Sequence, residues 1–334
     1  MESLNIYFTG AEQLELRTEP IGQPGPNEVL IEAQCSLIST GTELTCYSRR
    51  FAPGTHWDQW VKYPFATGYS HVGKVIAAGA DVKGVAVGTR VATRSSHRQY
   101  LVRSAGDALP IPDGVSDEDA SWFGIASIVQ NGVRRAEHAL GDTVVVIGLG
   151  MLGQLVTQYA RLSGASEVIA IDLSEKRLEM ARSHGATETL QLPVQEAKSH
   201  IERLTEGRLA DVVYDVTGFP AVFTHALGLA RTFGKVVLLG DAGDPDQQHL
   251  SGELIRRGLQ IVAAHDSNPP GTPSDHAWWT SRNMQKLFFN YIERGQMQVG
   301  DLITRRYKPQ DAAAAYADLF RNRAEAMGTL FDWK

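Results

Sequence analysis

Three glycines and one aspartate form the pattern in this sequence whose chemistry is simplest to derive. Gly148, Gly150 and Gly153 are spaced G-x-G-x-x-G, directly after an apolar run and before a stretch with helical periodicity. The first glycine permits a tight turn, the second lets the backbone approach a pyrophosphate, and the third lets the helix pack on the strand. Asp172 ends the next apolar run, at about the 20-residue offset where an acidic side chain accepts from a ribose 2′-hydroxyl. The combination of the glycines and Asp172 predicts a dinucleotide-binding site. The alternative is a domain with the same strand, turn and helix that binds no ligand.

The residues around Asp172 favour NAD over NADP as the cofactor. A carboxylate repels a 2′-phosphate, and the neighbours Leu173 and Ser174 offer no cation to hold one. Arg177 is either a surface ion-pair partner or a second contact to the ribose or phosphate, and the sequence leaves these two open. The residues predicted to contact the cofactor are Gly148, Gly150, Met151, Leu152, Gly153, Asp172, Arg177, Thr217, Gly240 and Ala264.

Composition limits the class of protein that these residues can belong to. The chain has 334 residues, 43% of them hydrophobic, which is enough for two ordinary domains. Its 32 Lys and Arg against 38 Asp and Glu give a formal charge of -6, so nucleic acid and anionic membranes are poor partners. The first residues lack the basic region followed by an apolar run that a secretory signal peptide has, and we expect a cytoplasmic protein. Cys35 and Cys46 are the only cysteines, which excludes a disulfide framework and a four-thiolate zinc site.

Hydrophobic patterning predicts two domains of an α/β fold. Residues 27–102 read as short β-rich runs separated by Gly and Pro, which indicates a small barrel-like domain. From about residue 142 the chain alternates buried strands with amphipathic helices, the pattern of a doubly wound parallel sheet. We therefore predict a first domain at 1–125, to which 266–334 returns, and a nucleotide-binding domain at 126–265.

Five segments resemble those of one known family, and together they extend over essentially the whole chain. They are "GPNEVLIEAQCSLISTGTE", "ATGYSHVGKVIAAG", "GVAVGTRVA", "HALGDTVVVIGLGMLGQL" and "LITRRYKPQDAAAAYADL". The chain resembles the medium-chain dehydrogenase/reductase superfamily, in which a GroES-like β-barrel domain precedes a Rossmann domain. The resemblance implies an NAD-dependent oxidoreductase acting on CH–OH groups.

The same resemblance predicts that no catalytic metal is held. The family's zinc ligands are a Cys in the early loop, the His of G-H-E, and a Cys or acidic residue before the Rossmann strand. Here the first position falls at about Ser39, the second is Tyr69, and "WFGIASIVQNG" supplies no ligand for the third. His71 lies two residues beyond Tyr69, about 6.5 Å further along a strand, and is either part of a site or a turn histidine. "STGTE" and "GYS" resemble the branch of bacteriochlorophyllide dehydrogenase-like proteins that lack these ligands.

Without zinc, a side chain must stabilise and deprotonate the substrate hydroxyl. The candidates are Thr40, Glu43, Tyr69 and His97. His97 is favoured because imidazole titrates near physiological pH, with a surface loop histidine as the alternative. Tyr69 either donates a hydrogen bond to the substrate or fills the volume of the missing metal.

The segment after the last Rossmann strand is long, polar and aromatic, as a substrate-binding loop is. The residues predicted to form a substrate rim are His265, Asp266, Asn268, Trp278 and Trp279; the alternative is an exposed connection with two core tryptophans.

The leading hypothesis for the function is oxidation of a hydroxyl of a polyol, sugar or cyclitol, or reduction of the matching ketone. The alternatives are a zinc-free enoyl or quinone reductase and a non-catalytic nucleotide-binding protein. The resembling family commonly pairs Rossmann sheets edge to edge, and the apolar strand "LQIVAAH" would be an exposed edge if left alone, so the resemblance implies a homodimer.

Overall fold

Two compact units make up the chain in the computed structural model, which describes residues 1–334. The first unit comprises Met1–Ile125 and Gln285–Lys334, and the second comprises Ala126–Met284. The second unit therefore extends beyond residue 265, where the sequence predicts its end.

Residues 266–284 belong to the second unit because the helix that opens it holds them. Gln130 Nε2 donates to the carbonyl oxygen of Met284 at 3.2 Å. The guanidinium of Arg134 lies 3.3 Å from the centroid of the Trp279 ring. Contacts of this kind join residues that are distant in sequence, and they leave no local signal along the chain.

The strands belong to three sheets. They are β1 (Glu2–Gly10), β2 (Gln13–Pro20), β3 (Glu28–Leu37), β4 (Phe65–Ala66), β5 (His71–Ala78), β6 (Arg90–Thr93), β7 (Tyr100–Ser104), β8 (Leu109–Pro110), β9 (Thr143–Ile147), β10 (Glu167–Asp172), β11 (Glu188–Gln191), β12 (Ala210–Asp215), β13 (Ala230–Leu238), β14 (Gln260–Ala263), β15 (Ile303–Tyr307) and β16 (Gly328–Asp332).

The helices are mostly short. They are α1 (Thr40–Ser48), α2 (His56–Trp60), α3 (Asp117–Ala120), α4 (Phe123–Ala136), α5 (Met151–Leu162), α6 (Glu175–Ser183), α7 (Ala197–Leu204), α8 (Pro220–Leu229), α9 (Glu253–Arg256), α10 (Ser281–Glu293) and α11 (Ala312–Arg321). Crossing a membrane takes a long apolar helix, and none of these meets that requirement.

The first unit is built around β3, which pairs with three neighbours. The larger sheet has the order β15-β16-β3-β5-β6-β8, with β7 also paired to β3, and a smaller sheet has the order β2-β1-β4. The tail of the chain enters this unit because β16 pairs antiparallel with β3, Leu330 opposite Leu37. Tyr316 of α11 and Phe331 of β16 pack into the same apolar cluster as Phe8 of β1.

The second unit contains a six-stranded sheet in the order β11-β10-β9-β12-β13-β14, and every pair in it is parallel. All five residues of β9 are buried, as expected of a strand covered on both faces. Strand register places Ile147, Ile171, Asp215, Leu238 and Ala263 side by side at the carboxyl edge. The predicted fold class, including the parallel sheet, is confirmed.

Candidate active site

The glycine loop between β9 and α5 has the geometry that the sequence predicts. Gly148 has a φ of +91°, and a Cβ there would lie 2.8 Å from Thr217 Cγ2. A Cβ on Gly153 would lie 2.0 Å from the carbonyl oxygen of Gly148, so helix and strand approach too closely for any side chain. A Cβ on Gly150, the N-cap of α5, would meet no atom within 4 Å. The loop is therefore constrained at its two ends and open at its centre, where Met151 and Leu152 begin the helix.

The other predicted cofactor residues lie along the same edge of the sheet. Asp172 ends β10, Thr217 follows β12, and Gly240 follows β13. The backbone N–H of Gly240 donates to Asp215 O at 3.0 Å, and a Cβ on Gly240 would lie 2.5 Å from the nitrogen of Gly218. Ala264 directly follows β14, and its N–H donates to Leu238 O. In an open parallel sheet, this carboxyl edge is where ligands bind.

Asp172 joins the glycine loop to the next helix. Its Oδ2 accepts from the backbone N–H of Leu149 at 2.7 Å, and its Oδ1 accepts from Ser174 N at 2.9 Å. Arg177 Nη1 lies 3.9 Å from Oδ2, so Arg177 is an ion partner of Asp172. An open glycine, a helix start and an acidic residue at one edge fit a dinucleotide: pyrophosphate at the loop and ribose at Asp172.

Ser39 and Tyr69, the two positions where the family's first two zinc ligands fall, face each other. The Ser39 Oγ and the Tyr69 hydroxyl share a hydrogen bond of 2.7 Å. Ser39 is the N-cap of α1, but its side chain makes no capping bond, because it points to Tyr69 instead. The guanidinium of Arg94 lies 4.9 Å from the centroid of the Tyr69 ring. Two hydroxyls and a cation thus stand where imidazole and thiolate would bind a metal.

The residues present do not fit a catalytic zinc at this place. Neutral hydroxyls are poor Zn²⁺ ligands compared with thiolate and imidazole. The third expected position falls in or beside α4, where residues 122–132 contain no Cys, His or carboxylate. Burial raises the pKa of Cys35 and of Cys46, so both thiols resist the deprotonation that metal binding requires.

His97 and Glu43, two of the predicted candidates for proton transfer, are both buried in the first unit. His97 has no exposed surface and Glu43 is 1% exposed, so neither lies in a surface loop. His97 Nε2 lies 3.0 Å from Glu43 Oε2, and Nδ1 lies 2.7 Å from Ser36 Oγ. Both ring nitrogens are engaged inside the protein, because the segment carrying His97 turns into the core. Thr40, by contrast, begins α1 next to Ser39 and is half-buried.

His71 is neither a turn histidine nor part of this constellation. It is the first residue of β5 and is fully buried. Its Nε2 lies 3.0 Å from the carbonyl oxygen of Arg98, to which it can donate, and its Nδ1 has no hydrogen-bond partner. Burial lowers the pKa of His71 to about 3. A neutral imidazole inside a sheet is a structural residue.

The predicted substrate rim divides into two parts. The backbone N–H of His265 donates to Asn268 Oδ1 at 2.8 Å, and His265 Nδ1 lies 2.8 Å from Ser267 Oγ, which makes a compact turn that includes Asp266. Trp278 is 59% exposed, and Trp279 packs on Arg134. Trp278 is therefore not a core residue, which leaves an exposed aromatic face in this segment.

The sequence did not identify four residues that contact the candidate residues Glu43 and His97 or their partners: Ser36, Thr67, Tyr316 and Trp333. Thr67 and Tyr316 hydrogen-bond to Glu43, and Trp333 Nε1 donates to Ser36 Oγ at 2.9 Å. The one available signal was the tyrosine in "DAAAAYADLF", a large residue with a polar tip among alanines of a helix.

The class of protein follows from matches to two family models, one in the β-rich part of the chain and one in the part with the parallel sheet. The family described as alcohol dehydrogenase GroES-like domain matches residues 25–117. The family described as zinc-binding dehydrogenase matches residues 152–272, a range that contains neither Ser39 nor Tyr69. The chain belongs to the medium-chain dehydrogenase/reductase superfamily and is an oxidoreductase.

Particular relatives resemble the chain over nearly its full length. An L-threonine 3-dehydrogenase from Chromobacterium violaceum is 26% identical, covering 97% of this chain and 97% of the relative. An alcohol dehydrogenase from Cupriavidus necator is also 26% identical, covering 96% and 95%. The crystal structure of an oxidoreductase of unknown specificity from Escherichia coli superposes with a TM-score of 0.84 at 19% identity, covering 99% of each chain. The last comparison concerns the fold alone.

Proposed function

We propose that this protein is an NAD(H)-dependent dehydrogenase that oxidises a hydroxyl of a polar substrate, or reduces the matching ketone, without zinc. The substrate class is a polyol, a sugar or a cyclitol. The observation that carries the proposal is the hydrogen-bonded pair of Ser39 and Tyr69 at the positions of two zinc ligands. The two 26%-identical relatives are a threonine and an alcohol dehydrogenase, which supports action on a hydroxyl.

The cofactor is held by the carboxyl edge of the second unit. The N–H groups at the start of α5, beside the open Gly150, would donate to its pyrophosphate, and Asp172 would accept from its ribose hydroxyl. When bound, the nicotinamide supplies the two-electron acceptor that alcohol oxidation needs. Asp172 favours NAD(H), because its charge opposes a 2′-phosphate.

Tyr69 holds and moves the proton in this proposal. Its phenolate takes the proton of the substrate hydroxyl during oxidation and becomes a neutral tyrosine, and the tyrosine hydroxyl gives that proton back to the substrate oxygen during reduction, with Ser39 Oγ as its hydrogen-bond partner. The Arg94 cation over the ring favours the phenolate that remains when the proton has left. Glu43 and His97 take no part in the transfer, because both are buried and occupied.

The proposal also covers the branch of the superfamily to which the chain belongs and its oligomeric state. The absence of suitable ligands at positions 39 and 69 favours the branch similar to bacteriochlorophyllide dehydrogenase-like proteins. We also infer a homodimer formed through β14, which lies at the end of the six-stranded sheet. A cytoplasmic location accords with a substrate that is small and polar.

The test is turnover of polyols, sugars and cyclitols with NAD⁺, followed by NADH absorbance, before and after treatment with a strong chelator. We expect activity to survive chelation, because no step uses a metal. Tyr69→Phe is expected to lower kcat by about 100-fold, the usual contribution of a general acid or base. Tyr63→Phe is the control, because its hydroxyl donates to Cys46 O in the same unit, away from Ser39.

Three results contradict the proposal. Stoichiometric zinc lost together with activity would return a metal to the mechanism. Nucleotide binding without turnover of any hydroxyl, ketone or enone would identify a non-catalytic nucleotide-binding protein, and turnover of enones alone would identify a reductase of the zinc-free type.

A further inference from the structure

Glu43 is the centre of a buried polar cluster in the first unit. Its Oε2 accepts from Thr67 Oγ1 at 2.8 Å and from the Tyr316 hydroxyl, and lies 3.0 Å from His97 Nε2. Its Oε1 accepts from the backbone N–H of Ser39 at 2.7 Å. One carboxylate therefore has four hydrogen-bond partners in parts of the chain that are far apart in sequence.

Burial of such a group is costly unless its oxygens are satisfied. A desolvated carboxylate loses several kcal/mol of hydration free energy. Burial by itself raises the pKa of Glu43, but His97 and the hydrogen bonds from Tyr316 and Ser39 outweigh it, so that the pKa is lowered. The carboxylate is thus a fixed acceptor, and the residues that donate to it are held at fixed positions.

The cluster reaches both members of the hydroxyl pair. On one side, Glu43 fixes the backbone of Ser39 through the bond to its N–H. On the other side, the backbone N–H of His97 donates to Thr67 O at 2.8 Å. Gly68 has a φ of +94°, and a Cβ there would lie 2.6 Å from His97 Cδ2. The imidazole therefore packs against the residue that directly precedes Tyr69.

We propose that Glu43, His97 and Tyr316 are positioning residues, which hold Ser39 Oγ and the Tyr69 hydroxyl at hydrogen-bond distance in place of a metal. The proposal rests on the proposed function of the Ser39–Tyr69 pair. It assigns no contact with the substrate to the cluster. Removing a donor from Glu43 should therefore disturb the hydroxyl pair while leaving cofactor binding unchanged.

Tyr316→Phe is the test variant, because it removes one donor to Glu43 and keeps the aromatic ring. Tyr47→Phe is the matched control: its ring stacks on Tyr316 with centroids 5.6 Å apart, and its hydroxyl donates to Glu12 O instead. The first readout needs no substrate. It is the ultraviolet titration of the Tyr69 phenol, obtained as the difference between each protein and the same protein carrying Tyr69→Phe.

We expect Tyr316→Phe to move the midpoint of the Tyr69 titration by about half a pH unit or more, and Tyr47→Phe to leave it in place. In turnover, Tyr316→Phe should lower kcat about tenfold and leave the KM for NAD⁺ unchanged, as misplacement of a reacting group does. The unfolding temperature of each variant separates this effect from a loss of stability.

An unmoved Tyr69 midpoint in folded Tyr316→Phe protein overturns the proposal. Should that variant not fold, Thr67→Val removes a different donor to the same oxygen, and the same readout decides. A moved midpoint in a protein that turns over no substrate supports the positioning role and counts against the proposed function alone, so the two failures are distinguishable.

Discussion

His71 shows at the scale of one residue how burial determines the behaviour of a titratable group. Its folded-state pKa is lowered to about 3 by burial, below the ordinary value of 6.5. The unfolded chain therefore takes up a proton at this histidine as the pH falls through about 6.5, and the folded chain does not. Stability from the neutral His71 is complete above that pH and is lost progressively below it.

We predict that the free energy of unfolding falls by about 2 kcal/mol between pH 8 and pH 5 through His71 alone. Urea unfolding across this range should show a shallower fall for His71→Gln, which can still donate to Arg98 O. His249→Gln, an exposed control, should follow the unaltered protein. Equal slopes for His71→Gln and the unaltered protein would mean that His71 is protonated in the folded state.

At the scale of elements, the end of β10 and the start of α6 determine the choice of cofactor. Asp172 accepts from Leu149 of the glycine loop, and Arg177 lies within ion-pair distance of it. Arg177 is therefore an ion partner of Asp172, and a contact of Arg177 with the ribose or phosphate stays a prediction. Loss of the carboxylate would leave the guanidinium at a place where a 2′-phosphate could bind.

We predict that Asp172→Ser reduces the preference for NADH over NADPH by about tenfold or more, because it removes a ribose acceptor and a repulsive charge together. Binding of each nucleotide, followed by nicotinamide fluorescence, measures the ratio. Glu175→Gln is the control, since it removes a nearby exposed charge that pairs with Arg182. An unchanged ratio in Asp172→Ser would place the ribose acceptor elsewhere.

At the scale of the whole molecule, β14 is one of the two edge strands of the parallel sheet in the second unit. Ile261 in this strand is 38% exposed, and the nearby Phe233, whose backbone N–H donates to Arg257 O, is 72% exposed. Exposed apolar edges favour pairing with another strand. A second copy of the chain would bury this edge under two-fold symmetry.

We predict that light scattering at micromolar concentration gives twice the chain mass of 36.5 kDa. Ile261→Lys should shift the mass toward that of the monomer, because a charge then opposes its symmetry-related copy. Leu140→Lys, at a residue that is 92% exposed outside any strand, should leave the mass unchanged. A monomer mass for the unaltered protein would contradict edge pairing.

The local sequence pattern alone was enough to predict the parallel sheet, the glycine loop and the position of Asp172 at the end of a strand. A buried strand is apolar throughout, a tight turn needs glycine, and an acidic residue at a strand end stays at that end in any fold of this type. The sequence also gives the hydroxyl chemistry of Ser39 and Tyr69, the residues at two positions where the resembling family has zinc ligands.

Tertiary structure alone decided which polar side chains of the first unit meet. Tyr316 and Trp333 join Ser36, Glu43, Thr67 and His97 because α11 and β16 return to the first unit, and no periodicity along the chain records that return. Burial likewise follows from the packing of distant segments. For this reason His97, which the sequence left open as a proton-transfer candidate or a surface loop histidine, lies inside the protein, and Ser39 and Tyr69 became visible as a hydrogen-bonded pair only in the folded chain.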